Sequence, residues 1–490
     1  MKNNNENLDS YIGVELPKNK STAREIVETV GWALVVIVPI LIYFFAPAIT
    51  VQGSENQPRL FLCILSSTTI MWALSLLPSF VPGIFALLAT ALLSLTDSNT
   101  ILAGFSSANF IIVLSICTMI VCLGQSGILN RILLHFLRNS SSANSAGWKI
   151  FGFSLLITPI IPSVISRCQL LGPLINRLSD YSDGQKNHNN DTLFYTSAYI
   201  GGSLLTSSFL SASLLNFVII SLLPLQEQQE FHMIGWFQAT IVLTAVLLIS
   251  YFLLISICFY NKSGSSSLFH KFNIENEKKN KISYKEMASL GIIIFFFVGI
   301  LTTRYHHVAG SWLGLSLLFL LLALRLVSID DFRKKVDWTF LLFLSSIIGI
   351  ATTFKSLGLD VWTYKQLLTH YPHIVQDKEL IFISLTIFVL ILRLALPVGA
   401  VVALLASIAL AIADKIGISG WVLCFVILFV GDMWFFPYQN EFYQIYKNSF
   451  DMESHSINEK KFLIINAIFN VIKIFGLYLS FYHWKYLSLI

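Results

Sequence analysis

Four ionisable side chains lie where the surrounding sequence is apolar: Arg167, Arg393, Asp432 and Glu441. A charge at bilayer depth costs several kcal/mol and faces a cavity or a partner. A guanidinium offers five donors in a planar fork, a geometry suited to gripping an anion. Asp432 interrupts the run WVLCFVILFVGDMWFF (421–436), where a carboxylate can carry a coupling proton or hold a cation. Each charge also has a plainer reading. The arginines can cap half-helix carbonyls or pair with a carboxylate such as Asp432, and Asp432 can serve as Arg393's partner or sit at an aqueous edge. Short hydroxyls cluster at Thr206, Ser207, Ser208, Ser211 and Ser213, followed by Asn216. Such groups can ligate an ion or act as ordinary glue between helices.

Other chemistries find little support. No His/Asp/Glu spacing on one apolar helix reads as a metal site or as a nucleophile with its base, so the chain does not read as an enzyme. His306 and His307 fall in a short loop. The six cysteines (Cys63, Cys117, Cys122, Cys168, Cys258, Cys424) lie in apolar segments without metal-like spacing and read as buried thiols.

The elements that carry these residues are interrupted. The stretch LLITPIIPSVISRCQLLGPLI (155–175) holds Pro159, Pro162 and Pro173 beside Arg167, and its turn is PSVIS (162–166). It is followed by GGSLLTSSFLSASLLN (201–216). A second stretch, about 380–412, turns at LPVG (396–399) and is followed by VGDMWFFPYQN (430–440). Arg167 comes four residues after Ser163, and Arg393 four before Pro397, in mirrored arms. Irregular backbone is excluded from lipid but allowed where it lines a protein cavity. Paired interruptions in two halves point to a transporter binding site, with half-helix N-termini aimed at an anion and freed carbonyls available to a cation.

The chain has 490 residues, 55% of them hydrophobic and 12% charged, with a mean hydropathy of +0.71. Soluble domains carry roughly twice that charge, about 25%. The apolar residues form long continuous runs, which indicates an all-α polytopic membrane protein rather than a β-barrel. Spanning helices are expected near 31–50, 60–78, 82–96, 108–124, 192–222, 236–260, 286–303, 309–327, 338–357, 419–446 and 462–487, with re-entrant hairpins at about 150–175 and 380–412. The expected organisation is a cytoplasmic tail (1–30), a first membrane half (31–260), a polar cytoplasmic linker (261–286) and a second half (287–490). The tail shows no signal-peptide pattern.

Charge orients the set. One side collects Arg131, Arg138, Arg177, Lys186, the lysines from Lys262 to Lys285, and Arg333, Lys334 and Lys335. The other holds Arg59, Arg304, Lys365 and Lys378. By the positive-inside rule the first side is cytoplasmic, and the count works only if both interrupted stretches return to the side they left. The formal charge of +5 is therefore an orientation signal, and no nucleic-acid partner is expected. Tyr478, Tyr482, Trp484 and Tyr486 read as interfacial anchors.

From about residue 55 the chain resembles the divalent anion/sodium symporter family of dicarboxylate, citrate and sulfate transporters. The resemblance rests on LAGFSSANFIIVLSICTMIVCLGQSGILNRI (102–132), SSFLSASLLN (207–216), DWTFLLFLSSIIGIATTFKSLGLDVW (337–362), FFPYQNEFYQIY (435–446) and HWKYLSLI (483–490). It implies eleven spans, two hairpins in inverted repeats, a homodimer, an elevator movement and sodium coupling. The family places Ser-Asn-Thr at each hairpin tip. Here the first tip reads Ser163-Val164-Ile165, with the family's Arg kept as Arg167, and the second reads Pro397-Val398-Gly399.

The resulting expectation is a symporter for a di- or tricarboxylate or sulfate in a bacterial-type plasma membrane, with its N-terminus cytoplasmic. Its partners would be the anion, membrane lipid and a second copy. Substrate contacts are assigned to Ser163, Ser166, Arg167, Ser208, Ser211, Asn216, Arg393, Val398, Gly399, Pro437, Gln439 and Asn440. The coupling ion, Na+ or H+, is assigned to Ser163, Asn216, Gly399 and Asp432, with no other cofactor. The alternative is a non-transporting sensor of the same fold.

Overall fold

Helix-forming apolar runs and the caps between them determine how the chain is cut up. The computed structural model describes residues 22–45, 56–137, 140, 142–164, 166–167, 170–172, 175–176, 188–259, 283–449 and 457–490. The tail up to residue 21, the loop 260–282, Arg138, Cys168, Pro173, Arg177 and Lys186 lie outside the described residues. Among the described residues the regular structure is helical throughout, with no strand, and seven helices are long and apolar enough to cross a membrane. The protein is an integral membrane protein.

The principal helices are α1 (Thr22–Phe45), α2 (Asn56–Ala73), α3 (Phe80–Leu92), α4 (Ala108–Ser126), α5 (Ile128–Leu137), α6 (Ala143–Ile157), α7 (His188–Ser203), α8 (Leu214–Leu222), α9 (Met233–Cys258), α10 (Tyr284–Leu301), α11 (Gly310–Ala323), α12 (Trp338–Ser356), α13 (Lys378–Leu392), α14 (Val398–Ile416), α15 (Gly420–Gly431), α16 (Glu441–Ser449) and α17 (Glu459–Tyr486). Two of the expected spans are broken. The 192–222 segment is α7 and α8 with a non-helical stretch and one 3₁₀ turn between them, and the 419–446 segment is α15 and α16 separated in the same way.

Both interrupted stretches break where the sequence places their turns. In the first, α6 ends at Ile157, an irregular turn covers 158–163, and helix resumes at Val164. In the second, Asp377 caps the first turn of α13 by accepting from the Glu379 and Leu380 N–H groups. The helix breaks after Leu392, and α14 restarts behind Pro397, which has no N–H to satisfy. The far end of α14 closes on Gly417 at φ +66°, a left-handed cap that glycine adopts without strain. The Lys378 ammonium at the entry of α13 donates to the Gly417 carbonyl at 2.8 Å. Entry and exit therefore lie at the same level, so this segment is a hairpin.

Packing sorts the helices into two bundles. In one, α1 packs on α2, α2 on α3, α3 on α12, and α11 on both α4 and α10. In the other, α6 packs on α7, α9 on α17, and both arms of the second hairpin on α15. Each bundle draws on both halves of the sequence. They meet where α12 touches α14 and α8. The contact is close: a Cβ at Gly399 would stand 2.9 Å from Phe343 Cζ.

Candidate functional site

The first break is filled by the chain's own donors. Arg167 is fully buried, and its Nε donates to the Gly202 carbonyl at 2.8 Å. Its Nη1 donates to the carbonyls of Thr158 (3.2 Å), Ala212 (2.9 Å) and Ile161. One guanidinium thus staples the hairpin turn to both sides of the α7–α8 break. Ser211 Oγ adds a bond to the Pro159 carbonyl at 2.7 Å. Asn216 Nδ2 donates to the carbonyls of Thr206 (2.9 Å) and Phe209 (2.8 Å). From α9, Trp236 Nε1 takes the Ser207 carbonyl and Thr240 Oγ1 the Ser208 carbonyl. At the tip, Ser163 Oγ accepts from the Ser166 N–H at 3.2 Å. One acceptor in this set is left over: Asn216 Oδ1 is buried with no hydrogen-bond partner.

The second break opens onto a cavity of about 640 Å³. Its walls carry Arg393, Val398, Gly399, Asp432, Gln439 and Asn440, together with Asp337, Glu441 and the aromatic rings of Trp72 and Phe343. Arg393 repeats the Arg167 arrangement. Its Nη1 donates to the Leu396 carbonyl at the tip (2.7 Å) and its Nη2 to the Gln439 carbonyl in the break (2.8 Å). Gln439 reciprocates through Nε2 to the Arg393 carbonyl at 3.0 Å, while its Oε1 accepts from the N–H groups of Phe435 and Phe436. Arg393 differs from Arg167 in one respect. It lines the cavity, is only 4% exposed, and its Nε has no partner.

One further feature, the start of a helix, adds positive potential to this cavity. Val398, Gly399 and Ala400 form the first turn of the 19-residue α14, and the leading N–H groups of a helix have no intrahelical acceptor. They bring the positive end of the helix to the same wall as Arg393. Against this stand three carboxylates. Asp337 caps α12 at the mouth, accepting from the Phe340 N–H at 2.9 Å, Glu441 is exposed, and Asp432 is half-buried.

The breaks are tied to each other. Asn440 Nδ2 donates to Tyr199 Oη at 3.2 Å, and Asn440 Oδ1 caps α16 through the Tyr443 N–H at 3.0 Å. Tyr446 Oη reaches the Tyr195 carbonyl at 2.9 Å. Pro437 opens the 3₁₀ turn of the break, and its carbonyl accepts from Gln444. Of the residues assigned from sequence, Arg393, Val398, Gly399, Asp432, Gln439 and Asn440 share the cavity, with Pro437 in the turn that shapes it. Ser163, Ser166, Arg167, Ser208, Ser211 and Asn216 instead surround the first break, outside that cavity lining.

Sequence reasoning missed the stripe Asn466, Asn470 and Lys473 on α17. The amides of Asn466 (2.9 Å) and Asn470 (2.5 Å) both donate to the Trp434 carbonyl in the second break. The available signal was three polar residues spaced i, i+4 and i+7 on an apolar span, which places them on one helix face.

A family model described as the sodium:sulfate symporter transmembrane region matches residues 28–490. No curated protein matches the chain.

Proposed function

The chain belongs to the sodium:sulfate symporter family, and from that premise we propose that it carries a small divalent or trivalent anion, a dicarboxylate, citrate or sulfate, across a membrane. The observation that carries this reading is the cavity whose lining brings Arg393 and the first turn of α14 together. A charge-assisted donor and a helix N-terminus converge there on one buried wall. Gln439 and Asn440, held by their bonds within the protein, shape the wall, and Trp72 and Phe343 also line it.

The cavity also suggests a state of the transport cycle. Its mouth is built from 78–80 and the start of α12, next to the basic segment Arg333–Lys335. By the positive-inside rule that side is cytoplasmic, so the site faces inward, with the N-terminus on the same side. Outward opening would require the bundle that carries the two hairpins to slide past α12, an elevator movement, with the other bundle supplying a homodimer contact.

The coupling ion is co-substrate. At the first break the orphaned Asn216 Oδ1 fits a cation that seeks oxygen. At the second, Asp432 supplies a carboxylate that would accept a cation or a proton, next to the tip residue Gly399.

The test is anion-dependent thermal stabilisation of the purified protein. Succinate or sulfate is expected to raise the unfolding temperature of the wild type, and Arg393→Gln to remove that rise. Equal stabilisation of both proteins would remove Arg393 from the site.

A further inference from the structure

Among the described residues, the lining of the second-break cavity holds one cation and three carboxylates: Arg393 against Asp337, Asp432 and Glu441. That balance is poor for a ligand that is only an anion, because a dianion beside an unneutralised carboxylate meets like charge in a partly desolvated space. Two of the carboxylates are accounted for. Asp337 is committed to the start of α12, where its Oδ1 accepts from Thr339 Oγ1 at 2.6 Å and from the Phe340 N–H at 2.9 Å. Glu441 is exposed to water. Asp432 is the remainder. It is half-buried in the lining, and among the described residues no hydrogen bond or ion pair engages its carboxylate. Its neighbour fixes its place: a Cβ at Gly431 would stand 3.5 Å from Val398 Cγ2, so the chain reaches Asp432 against the first residue of α14. Arg393 meets the same tip through its bond to the Leu396 carbonyl, two residues before Val398.

We propose that the ligand of this cavity carries its own cation: it is an amino-dicarboxylate, an aspartate-like molecule whose carboxylates face Arg393 and the first turn of α14 and whose ammonium faces Asp432. This rests on the transporter reading and deepens it by naming the substrate class. The chemistry matches group by group. Arg393 and the leading N–H groups of α14 suit carboxylates. The Asp432 carboxylate has acceptors and no donor, and an ammonium has three donors and no acceptor. The amine and one carboxylate of such a molecule sit on a single carbon, which suits a wall where Asp432 and the start of α14 adjoin one hairpin tip. A plain dicarboxylate answers the cationic side and leaves Asp432 facing it uncompensated, and sulfate does the same. The cation that Asp432 accepts is then the substrate's own. A diffusible sodium ion at Asp432 is the rival occupant, and it predicts no advantage for the amine.

The experiment is thermal unfolding of the purified full-length protein, titrated with L-aspartate, succinate or sulfate in sodium chloride at constant ionic strength and neutral pH. Sodium is present so that it is free to occupy Asp432. Succinate is aspartate without the amine, so this pair isolates the proposed contact. A ligand that binds only the folded state raises the unfolding temperature, and the concentration dependence of the rise reports its affinity. Aspartate is expected to act at a concentration lower than succinate by about tenfold or more, the effect of one charge-assisted contact. Asp432→Asn is expected to erase that preference, a ratio that a merely structural role of Asp432 would leave in place. If Asp432→Asn does not fold, N-acetyl-L-aspartate on the wild type takes its place: it keeps both carboxylates, lacks the ammonium, and is expected to bind no better than succinate. Succinate or sulfate acting as well as aspartate on the wild type would overturn the proposal and leave the anion reading standing. So would a preference for aspartate that survives Asp432→Asn, or N-acetyl-L-aspartate matching aspartate. No stabilisation by any of the three titrated ligands would overturn both the proposal and the reading it rests on.

Discussion

Arg167 and Arg393 do the same mechanical work at two unequal sites. Each binds a hairpin turn to the broken segment that follows it in the fold, and each does so through backbone carbonyls. Arg167 commits its Nε and Nη1 to this work, so the capping role weighed for it in the sequence is the role these contacts display. Arg393 lines the cavity, and its buried Nε has no hydrogen-bond partner. Their substitutions should therefore separate. Arg167→Gln strands several buried carbonyls, each worth about 1–3 kcal/mol, and is expected to lower the unfolding temperature steeply. Arg393→Gln is expected to unfold closer to the wild type while losing anion binding. Thermal scans with and without succinate would show both effects. Charges in apolar runs are conspicuous, which is why these arginines and Asp432 could be picked out from sequence. Asn466 and Asn470 share a helix face that the sequence shows, but the Trp434 carbonyl they both bind is more than thirty residues away and nothing local to α17 names it.

At the scale of elements, the prolines and helix breakers of 155–175, 396–399 and 432–440 were legible because they forbid a continuous helix. The cross-chain caps were not. Glu227, in the short helix Leu225–Glu230, reaches almost two hundred residues along the chain to cap α15. Its Oε1 accepts from Ser419 Oγ and the Gly420 N–H, both at 2.9 Å, and its Oε2 from the Trp421 N–H at 3.2 Å. Burial pushes this carboxyl above the usual range, and the three donors oppose that shift only in part. A carboxyl with a raised folded-state pKa favours folding most at acid pH, and that contribution is lost as pH rises through the shifted value. Glu227→Gln keeps an acceptor without the charge. The stability of the wild type relative to Glu227→Gln is thus expected to fall from acid to neutral pH. Glu227→Ala, which loses the cap, should cost about 1 kcal/mol or more. Unfolding temperatures of the three proteins across pH would check this. A second element contact is steric. A Cβ at Gly349 of α12 would stand 2.3 Å from the Ile101 carbonyl oxygen, and Thr352 Oγ1 already holds the Thr100 carbonyl at 2.8 Å. Gly349→Ala should force α12 off the short helix Ser98–Ile101 and destabilise the bundle by about 1–3 kcal/mol or more, seen as a lower unfolding temperature.

For the whole molecule, composition made the membrane class plain. How the helices sort into bundles was not legible, because hydropathy reports whether a segment is buried in lipid or protein and not which neighbour it meets. Both bundles mix helices from the two halves, and the second hairpin comes to rest against α12 through Gly399 and Phe343. The orientation derived from charge predicts that a reporter placed within 262–285 reads as cytoplasmic; an external reading would invert every side assigned above. The central claim is that this arrangement moves an anion, and uptake of labelled succinate and labelled sulfate into proteoliposomes tests it most directly, with a sodium gradient and a proton gradient imposed separately. The account predicts concentrative uptake of at least one of these anions by the wild type and its loss in Arg393→Gln. Absence of uptake of both anions under both gradients, from protein that remains folded, would contradict it.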